Sequence, residues 1–306
     1  MRTALLQLDS GDDQAANLRA IAAATARAVA AGADLVVLPE AATYRGPFAP
    51  EHVQASDGPV VTALAALAVE HRIVLVLGGI WLASTDPVRP YNSCLVFGRD
   101  GVIAARYDKV HLFRLDTPDR VEDETACTTP GDRLVTVTVD ELTIGLSICY
   151  DLRFPEQYRA LEAAGARLLL VPANFSAVTG PDHWRPLLTA RAVENLCYVL
   201  APAQTGTDST GFASHGHSLA VDPWGRTLAE AGTAPEVLVV ELDPAEPERV
   251  RSRLRSPDHV RPEAYRRVET RRAETRSAET HSAETRSAGT CFVEKPLCRN
   301  EVSDRV

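Results

Sequence analysis

Three short apolar runs, each closed by a proline or by a side chain capable of chemistry, constrain this chain most. Leu35-Val-Val-Leu38 stops at Pro39-Glu40, Arg167-Leu-Leu-Leu-Val171 stops at Pro172, and Ile144-Gly-Leu-Ser-Ile148 closes on Cys149. Runs of this length and character belong to strands covered on both faces, and open α/β sheets place their sites at such strand ends. In the third run Ile144, Leu146 and Ile148 fall on one side and Ser147 and Cys149 on the other, the alternation of a strand. Pro155 suits the first turn of a following helix, where its missing N–H costs nothing. The stretch therefore reads as strand, bend and helix, with Cys149 where backbone N–H groups begin to point outward. A thiol in that position can attack a carbonyl with donors ready for the charge it creates. Taken alone it reads instead as a packed core thiol, since free cysteine is among the most buried residue types.

The remaining pattern interleaves both element types. Strands are expected over 3–9, 73–80, 196–201 and 237–242, and helices over 14–31, 60–71, 156–164, 182–195 and 244–254. Hairpins are expected for 91–97 with 102–107 and for 135–139 with 142–148, and 217–221 and 227–229 flank the turn Asp222-Pro-Trp-Gly225. The combination is an α/β fold with mixed sheets, and one catalytic domain over 1–265 is the simplest partition. Residues 273–287 repeat Ala-Glu-Thr-Arg-Ser and Ala-Glu-Thr-His-Ser, a period that matches no helix face, so 266–306 is expected to be a low-complexity, disordered extension.

Composition narrows the partners. A net charge of −9 gives a nucleic-acid partner no support. No apolar run approaches the roughly 20 residues needed to cross a bilayer, so no membrane association is expected. The first residues lack the long apolar core of a signal peptide, and the six cysteines are scattered with no C-x-x-C pair. A cytoplasmic location without a disulfide framework is the expectation.

A thiol near its ordinary pKa of about 8.5 is mostly protonated at neutral pH, so Cys149 needs a base or a cation. Glu40 offers a carboxylate at a strand end, and Lys109 lies just beyond the 102–107 strand beside Tyr107, Val110 and Leu112. Each alone reads as something plainer, a solvated loop glutamate and a surface lysine with a buried stem. In combination, Leu38-Pro-Glu-Ala41, Tyr107-Asp-Lys-Val-His-Leu-Phe113 and Ile148-Cys-Tyr-Asp-Leu-Arg-Phe-Pro-Glu156 resemble, in this order, the blocks of the nitrilase, or carbon–nitrogen hydrolase, superfamily. The resemblance runs from Ala4 to Tyr265.

It implies a four-layer αββα sandwich of two mixed β-sheets flanked by helices, no metal or organic cofactor, and a homodimer or higher homo-oligomer. It also implies Glu40 as general base, Cys149 as nucleophile forming a thioester, and Lys109 with the N–H after Cys149 as the oxyanion holders. Glu124, six residues before Pro130-Gly131, would orient the lysine, with Glu122 the alternative. Tyr150-Asp151, where nitrile-cleaving members carry Trp-Glu, resembles the amidase branch. The segments 174–184, 191–195 and 215–225 are similar to the Nit group of deaminated-glutathione and omega-amidases, and Ala203-Gln-Thr-Gly206 leans toward the former. The implied substrates are a small-molecule amide and water, with release of ammonia; Ala41-Ala-Thr-Tyr-Arg-Gly-Pro47 departs from the usual forms.

The expected substrate-binding residues are Tyr150, Arg153, Asn174, Phe175, Arg191 and Arg45, with Arg191 equally able to pair with Glu194 or a loop. His215 and His217, read as alternate strand residues facing opposite ways, are taken as structural histidines and not as a metal pair. Two other readings stay open, an N-carbamoyl-amine hydrolase and a catalytically idle scaffold that binds partners.

Overall fold

The structure, a computed structural model, describes residues 1–86, 88–117 and 120–266. It divides into two compact units, Met1–Leu254 and Arg255 onward. In the second, Ser256–His259 forms a 3-10 turn and Pro262–Tyr265 a short helix. The expected extension over 266–306 lies outside the described residues but for Arg266.

The first unit carries, in chain order, β1 (Arg2–Gln7), α1 (Gln14–Ala30), β2 (Leu35–Val37), α2 (Pro59–His71), β3 (Val74–Leu82), β4 (Tyr91–Phe97), β5 (Ile103–Asp108), β6 (Arg114–Thr117), β7 (Arg120–Asp123), β8 (Thr136–Val139) and β9 (Leu142–Leu146). Then follow α3 (Pro155–Ala163), β10 (Leu168–Leu170), α4 (Gly180–Asn195), β11 (Tyr198–Ala201), β12 (Leu219–Val221), β13 (Thr227–Glu230), β14 (Glu236–Glu241) and α5 (Glu246–Arg253). One six-stranded sheet has the order β14-β1-β2-β3-β4-β5 and the other β13-β12-β11-β10-β9-β8. Both are mixed: β1, β2 and β3 pair in parallel, as do β9, β10 and β11, and the flanking strands are antiparallel. No helix among the described residues is long and apolar enough to cross a membrane.

Strand alternation builds the layers. Leu5, Leu35, Val37, Val74, Val76 and Val96 belong to one core with Ile144, Leu146 and Leu168 of the second sheet. Their neighbours Ala4, Leu6, Val36, Leu75 and Leu77 belong to another with Ile21 and Ala28 of α1 and Val61 and Leu64 of α2. Tyr158 and Leu161 of α3 and Trp184 and Leu188 of α4 cover the outer side of the second sheet. The result is helix, sheet, sheet, helix, the αββα sandwich, because each central strand is apolar on both faces.

This stacking gathers the carboxyl ends of β2, β3, β9, β10 and β11, with the start of β4 and the end of β5, at one end of the two sheets. Two devices hold that end together. Gln204, fully buried, donates through Nε2 to Glu40 O (3.0 Å) and to Ser10 Oγ (3.1 Å), while its Oε1 accepts from Ser10 N (3.1 Å). Gly78 lets the sheets approach, since a Cβ there would lie 2.3 Å from Pro172 Cβ and 2.4 Å from Leu38 O. Both neighbours are rigid, so Gly78→Ala is expected to cost about 1–3 kcal/mol as an overpacked core does. Thermal unfolding should register roughly 2–4 °C of lost Tm per kcal/mol, and an unchanged Tm would count against this close approach.

Candidate active site

Each chemically capable side chain is carried by a strand end. Leu38-Pro39 lead out of β2 and deliver Glu40, buried at 7% exposure, to the head of the sheets. Lys109 follows Asp108 directly, and its backbone N–H donates to Asn92 O on the paired strand β4 (2.8 Å). Glu124 opens a 3-10 turn after β7, tied back by its N–H to Phe113 O (2.9 Å). Lys109 Nζ donates to Glu40 Oε1 (2.9 Å) and to Glu124 Oε2 (2.8 Å), and Phe113 N donates to the same Glu124 oxygen (2.8 Å).

Cys149 closes the group. The strand ends at Leu146, earlier than the alternation of the sequence suggests, and the chain bends sharply into a 3-10 turn over Cys149–Arg153 before α3 opens on Pro155. Cys149 takes φ +46°, a left-handed conformation costing a non-glycine residue about 1–2 kcal/mol. Its N–H donates to Pro172 O (2.9 Å), which fixes it against the end of β10. Asp151, fully buried, holds the bend from inside: it accepts from Ile148 N (2.8 Å), Tyr107 OH (2.7 Å) and His111 N (3.1 Å), and its Oδ1 meets His111 Nδ1 (2.8 Å). The elbow and the lysine segment are therefore one hydrogen-bonded piece.

The electrostatics follow from burial. Desolvation opposes the charge on Lys109, but Glu124, Glu40 and Cys149 outweigh it and hold its pKa well above the ordinary value. Burial pushes the Cys149 thiol well above its ordinary value and Glu40 adds to the rise, while Lys109 and the Asn174 N–H oppose it. The thiol thus stays protonated beside a carboxylate able to take its proton. Cys94 and Cys197, pushed up to about 12 by burial, have no such carboxylate-and-lysine pair in their surroundings among the described residues.

Glu40, Lys109, Glu124 and Cys149 all line one cavity of about 380 Å³, within the range of small-molecule sites. The carbon–nitrogen hydrolase family matches residues 2–252. The chain belongs to that family. A deaminated glutathione amidase of Synechocystis sp. is 38% identical over 262 residues, covering 84% of this chain and 96% of the relative. An omega-amidase of Homo sapiens is 35% identical over 245 residues, covering 79% and 88%. Among solved structures, the NitFhit protein of C. elegans superposes with a TM-score of 0.78 at 32% identity, over 89% of this chain and 68% of that one. A variant of the amidase from Nesterenkonia sp. AN1 does so with a TM-score of 0.71 at 30% identity, over 87% and 95%; its active-site cysteine carries the acetamide moiety of fluoroacetamide. As a carbon–nitrogen hydrolase with amidase relatives, the chain is a hydrolase of carbon–nitrogen bonds other than peptide bonds.

The other expected site residues divide. Tyr150, Arg153, Asn174 and Phe175 line the cavity, as does Glu122. Asn174 contributes its backbone N–H, which donates to Glu40 Oε2 (2.9 Å), and its side chain accepts from Ser214 Oγ (2.5 Å). Arg153 lies over the rings of Tyr150 (5.8 Å) and Phe175 (5.5 Å) and has no carboxylate partner among the described residues. Arg45 reaches the cavity wall, but its guanidinium is already engaged by Asp9 (2.7 Å), Thr205 O (2.6 Å) and Ser214 Oγ (3.0 Å). Arg191 does not line the cavity: it donates twice to Leu152 O (2.7 and 3.1 Å) and once to Glu194 Oε1 (2.9 Å), which leaves its role as a brace behind the elbow. The two histidines also depart from expectation. Gly216 and His217 both have positive φ, so the segment is no strand there, and the rings of His215 and His217 approach to 4.6 Å.

Two polar residues at the site carry contacts that sequence reasoning left unassigned, Asn92 and Asp151. A polar residue at the start of an otherwise apolar strand was the available signal for the first. For the second it was a carboxylate two residues after the cysteine. From the charge balance, Lys109→Met is expected to slow alkylation of Cys149 by iodoacetamide at neutral pH, because the ammonium that favours the thiolate is gone. Mass spectrometry of labelling over time checks this, and an unchanged rate would show that the lysine does not act on the thiol.

Proposed function

We propose that this amidase cleaves the carboxamide of a small substrate bearing a carboxylate, through a thioester on Cys149. The observation that carries the reading is the convergence of Glu40, Lys109 and Cys149 on one cavity, with the thiol held protonated beside a carboxylate. Glu40 takes the thiol proton as sulfur attacks the carbonyl carbon. Lys109 Nζ and the backbone N–H of Tyr150 hold the oxyanion of the tetrahedral adduct. Its collapse breaks the C–N bond, and Glu40 returns the proton to the departing nitrogen, releasing ammonia from a primary amide. Water, deprotonated by Glu40, then attacks the thioester; the acid leaves and the proton returns to sulfur. Each step uses one carboxylate as base and acid in turn, and Glu124 keeps the lysine aligned throughout.

Arg153 supports the choice of substrate. It is a cavity-lining guanidinium without a carboxylate partner among the described residues, lying over the Tyr150 and Phe175 rings and meeting only the neutral partners His183 Nδ1 (3.2 Å) and Thr179 Oγ1 (3.4 Å). A planar guanidinium in that setting is suited to bidentate recognition of a carboxylate. The deaminated glutathione amidase and omega-amidase relatives support the same class. Cytoplasmic residence belongs to this reading and is supported by free thiols at Cys94, Cys127, Cys149 and Cys197. A homodimer belongs to it as well, supported by the exposed apolar side chains of Val193 and Trp224.

Cys149→Ala is expected to abolish ammonia release from ω-amides while leaving the thermal transition intact, and full activity in that variant would overturn the mechanism. Intact-mass analysis after rapid quenching should find the acyl group on Cys149. Arg153→Met should raise KM about 10–100-fold for carboxylate-bearing amides, the loss of a charge-assisted hydrogen bond, and leave neutral amides unaffected. Assaying carbon dioxide beside ammonia tests an N-carbamoyl substrate.

A further inference from the structure

Asn92, the second residue of β4, touches each of Glu40, Lys109 and Glu124. Its backbone carbonyl accepts from the Lys109 N–H (2.8 Å), and its side-chain amide donates to Glu40 Oε1 (2.9 Å) and to Glu124 Oε1 (3.0 Å). An amide nitrogen has two hydrogens, and here each finds a different carboxylate. Asn92 is itself buried at 7% exposure. Room for it is reserved by Gly79 on the neighbouring strand β3, where a Cβ would stand 2.8 Å from Asn92 Oδ1 and 3.0 Å from Glu40 Cγ.

Two carboxylates around one ammonium leave a net negative charge in a buried place. Like charges so close favour protonation of one of them or their separation. Lysine alone cannot prevent this, because its ammonium is a point charge on a flexible stem that follows whichever carboxylate moves. A neutral amide with two divergent donors stabilises both ionised carboxylates at a fixed separation and adds no charge. It also occupies Glu40 Oε1, so that Oε2 is the oxygen left to the Asn174 N–H and the thiol.

We infer that Asn92 is a positioning residue that clamps Glu40 and Glu124 around Lys109 and directs Glu40 Oε2 at Cys149. The inference rests on the proposed roles of Glu40, Lys109 and Cys149. Aspartate has the shape of asparagine without the donors, and leucine has nearly that shape without polarity, so the two substitutions separate charge from packing.

The test measures kcat and KM against pH for the full chain and its Asn92→Leu and Asn92→Asp variants, with a carboxylate-bearing ω-amide. Concentrations are corrected for the fraction of Cys149 that iodoacetamide can titrate. With a donor to the ionised base removed, kcat should fall about 10–100-fold, KM should change far less, and the acid limb of kcat/KM should move to higher pH. The titratable groups facing Glu40 are Lys109, Cys149 and, across Asn92, Glu124. Asn92→Asp adds a third carboxylate and should move the limb further than Asn92→Leu. A residue that merely packs would lower Tm or the titratable fraction and leave kcat per active site and the acid limb in place; that result overturns the inference. Asn92→Ala, which introduces neither bulk, charge nor a donor, provides the same readouts where the leucine variant does not fold. Loss of all activity in Cys149→Ala together with a wild-type profile in the Asn92 variants defeats the clamp alone. Activity in Cys149→Ala defeats the catalytic reading beneath it.

Discussion

The ammonium of Lys109, held between Glu40 and Glu124, is the interaction on which the rest of this site depends. Burying charge is costly unless the charges are paired and their remaining hydrogen-bonding capacity is met. Here the pairing draws on three separate segments: the exit from β2, the end of β5 and the turn after β7. The remaining capacity is met by Asn92, by the Phe113 N–H and by the Asn174 N–H. The cluster is stable only when all of these segments sit in their folded places. Removing one partner would leave the others buried with charge unmatched, which is why the surrounding backbone is so fully tied.

The elbow shows the same logic with a different currency. Cys149 adopts a left-handed backbone that its side chain disfavours. Strain of that kind persists only where neighbours over-determine it, and Asp151, Pro172 O and Arg191 do so from three directions. Because Asp151 also grips Tyr107 and His111, the thiol and the lysine segment cannot shift independently. His111 in turn stacks on Phe154 at 3.7 Å, which closes the loop from lysine segment to elbow.

The sandwich was legible because its central strands are apolar on both faces and end in turn residues. Even the boundaries fell close, α1 over 14–30 against an expected 14–31. The hairpin of β6 and β7 was missed, since Arg114-Leu-Asp-Thr and Arg120-Val-Glu-Asp have the polarity of a loop and pair only with each other. At the site, Glu40, Lys109, Cys149 and Glu124 were legible from block order. For Arg191 the sequence left a substrate carboxylate and Glu194 or a loop as even readings, because a helical arginine declares its charge and not its direction; packing shows it facing Glu194 and the Leu152 carbonyl. The facing of His215 and His217, and not their structural reading, departs from expectation for a related reason. Alternation predicts opposite faces only if the backbone is extended, and two successive positive φ values at Gly216 and His217 bring the rings together. Asn92 escaped because its meaning lies in two partners, one 52 and the other 32 residues away along the chain.

The cavity walls divide by origin. Tyr150, Arg153 and Phe175 come from the elbow and from the end of β10, the same segments that fix Cys149. Their geometry is therefore bound to that of the thiol. The facing wall comes from the segment after Glu40 and the end of β3, where Tyr44 stacks on His52 at 3.6 Å and lies 5.8 Å from Trp81. Arg45 in that segment is neutralised by Asp9, so this wall offers aromatic surface and no unpaired guanidinium. This wall too is tied to Glu40: Arg45 donates to Ser214 Oγ (3.0 Å), which donates to Asn174 Oδ1 (2.5 Å), and the Asn174 N–H donates to Glu40 Oε2 (2.9 Å).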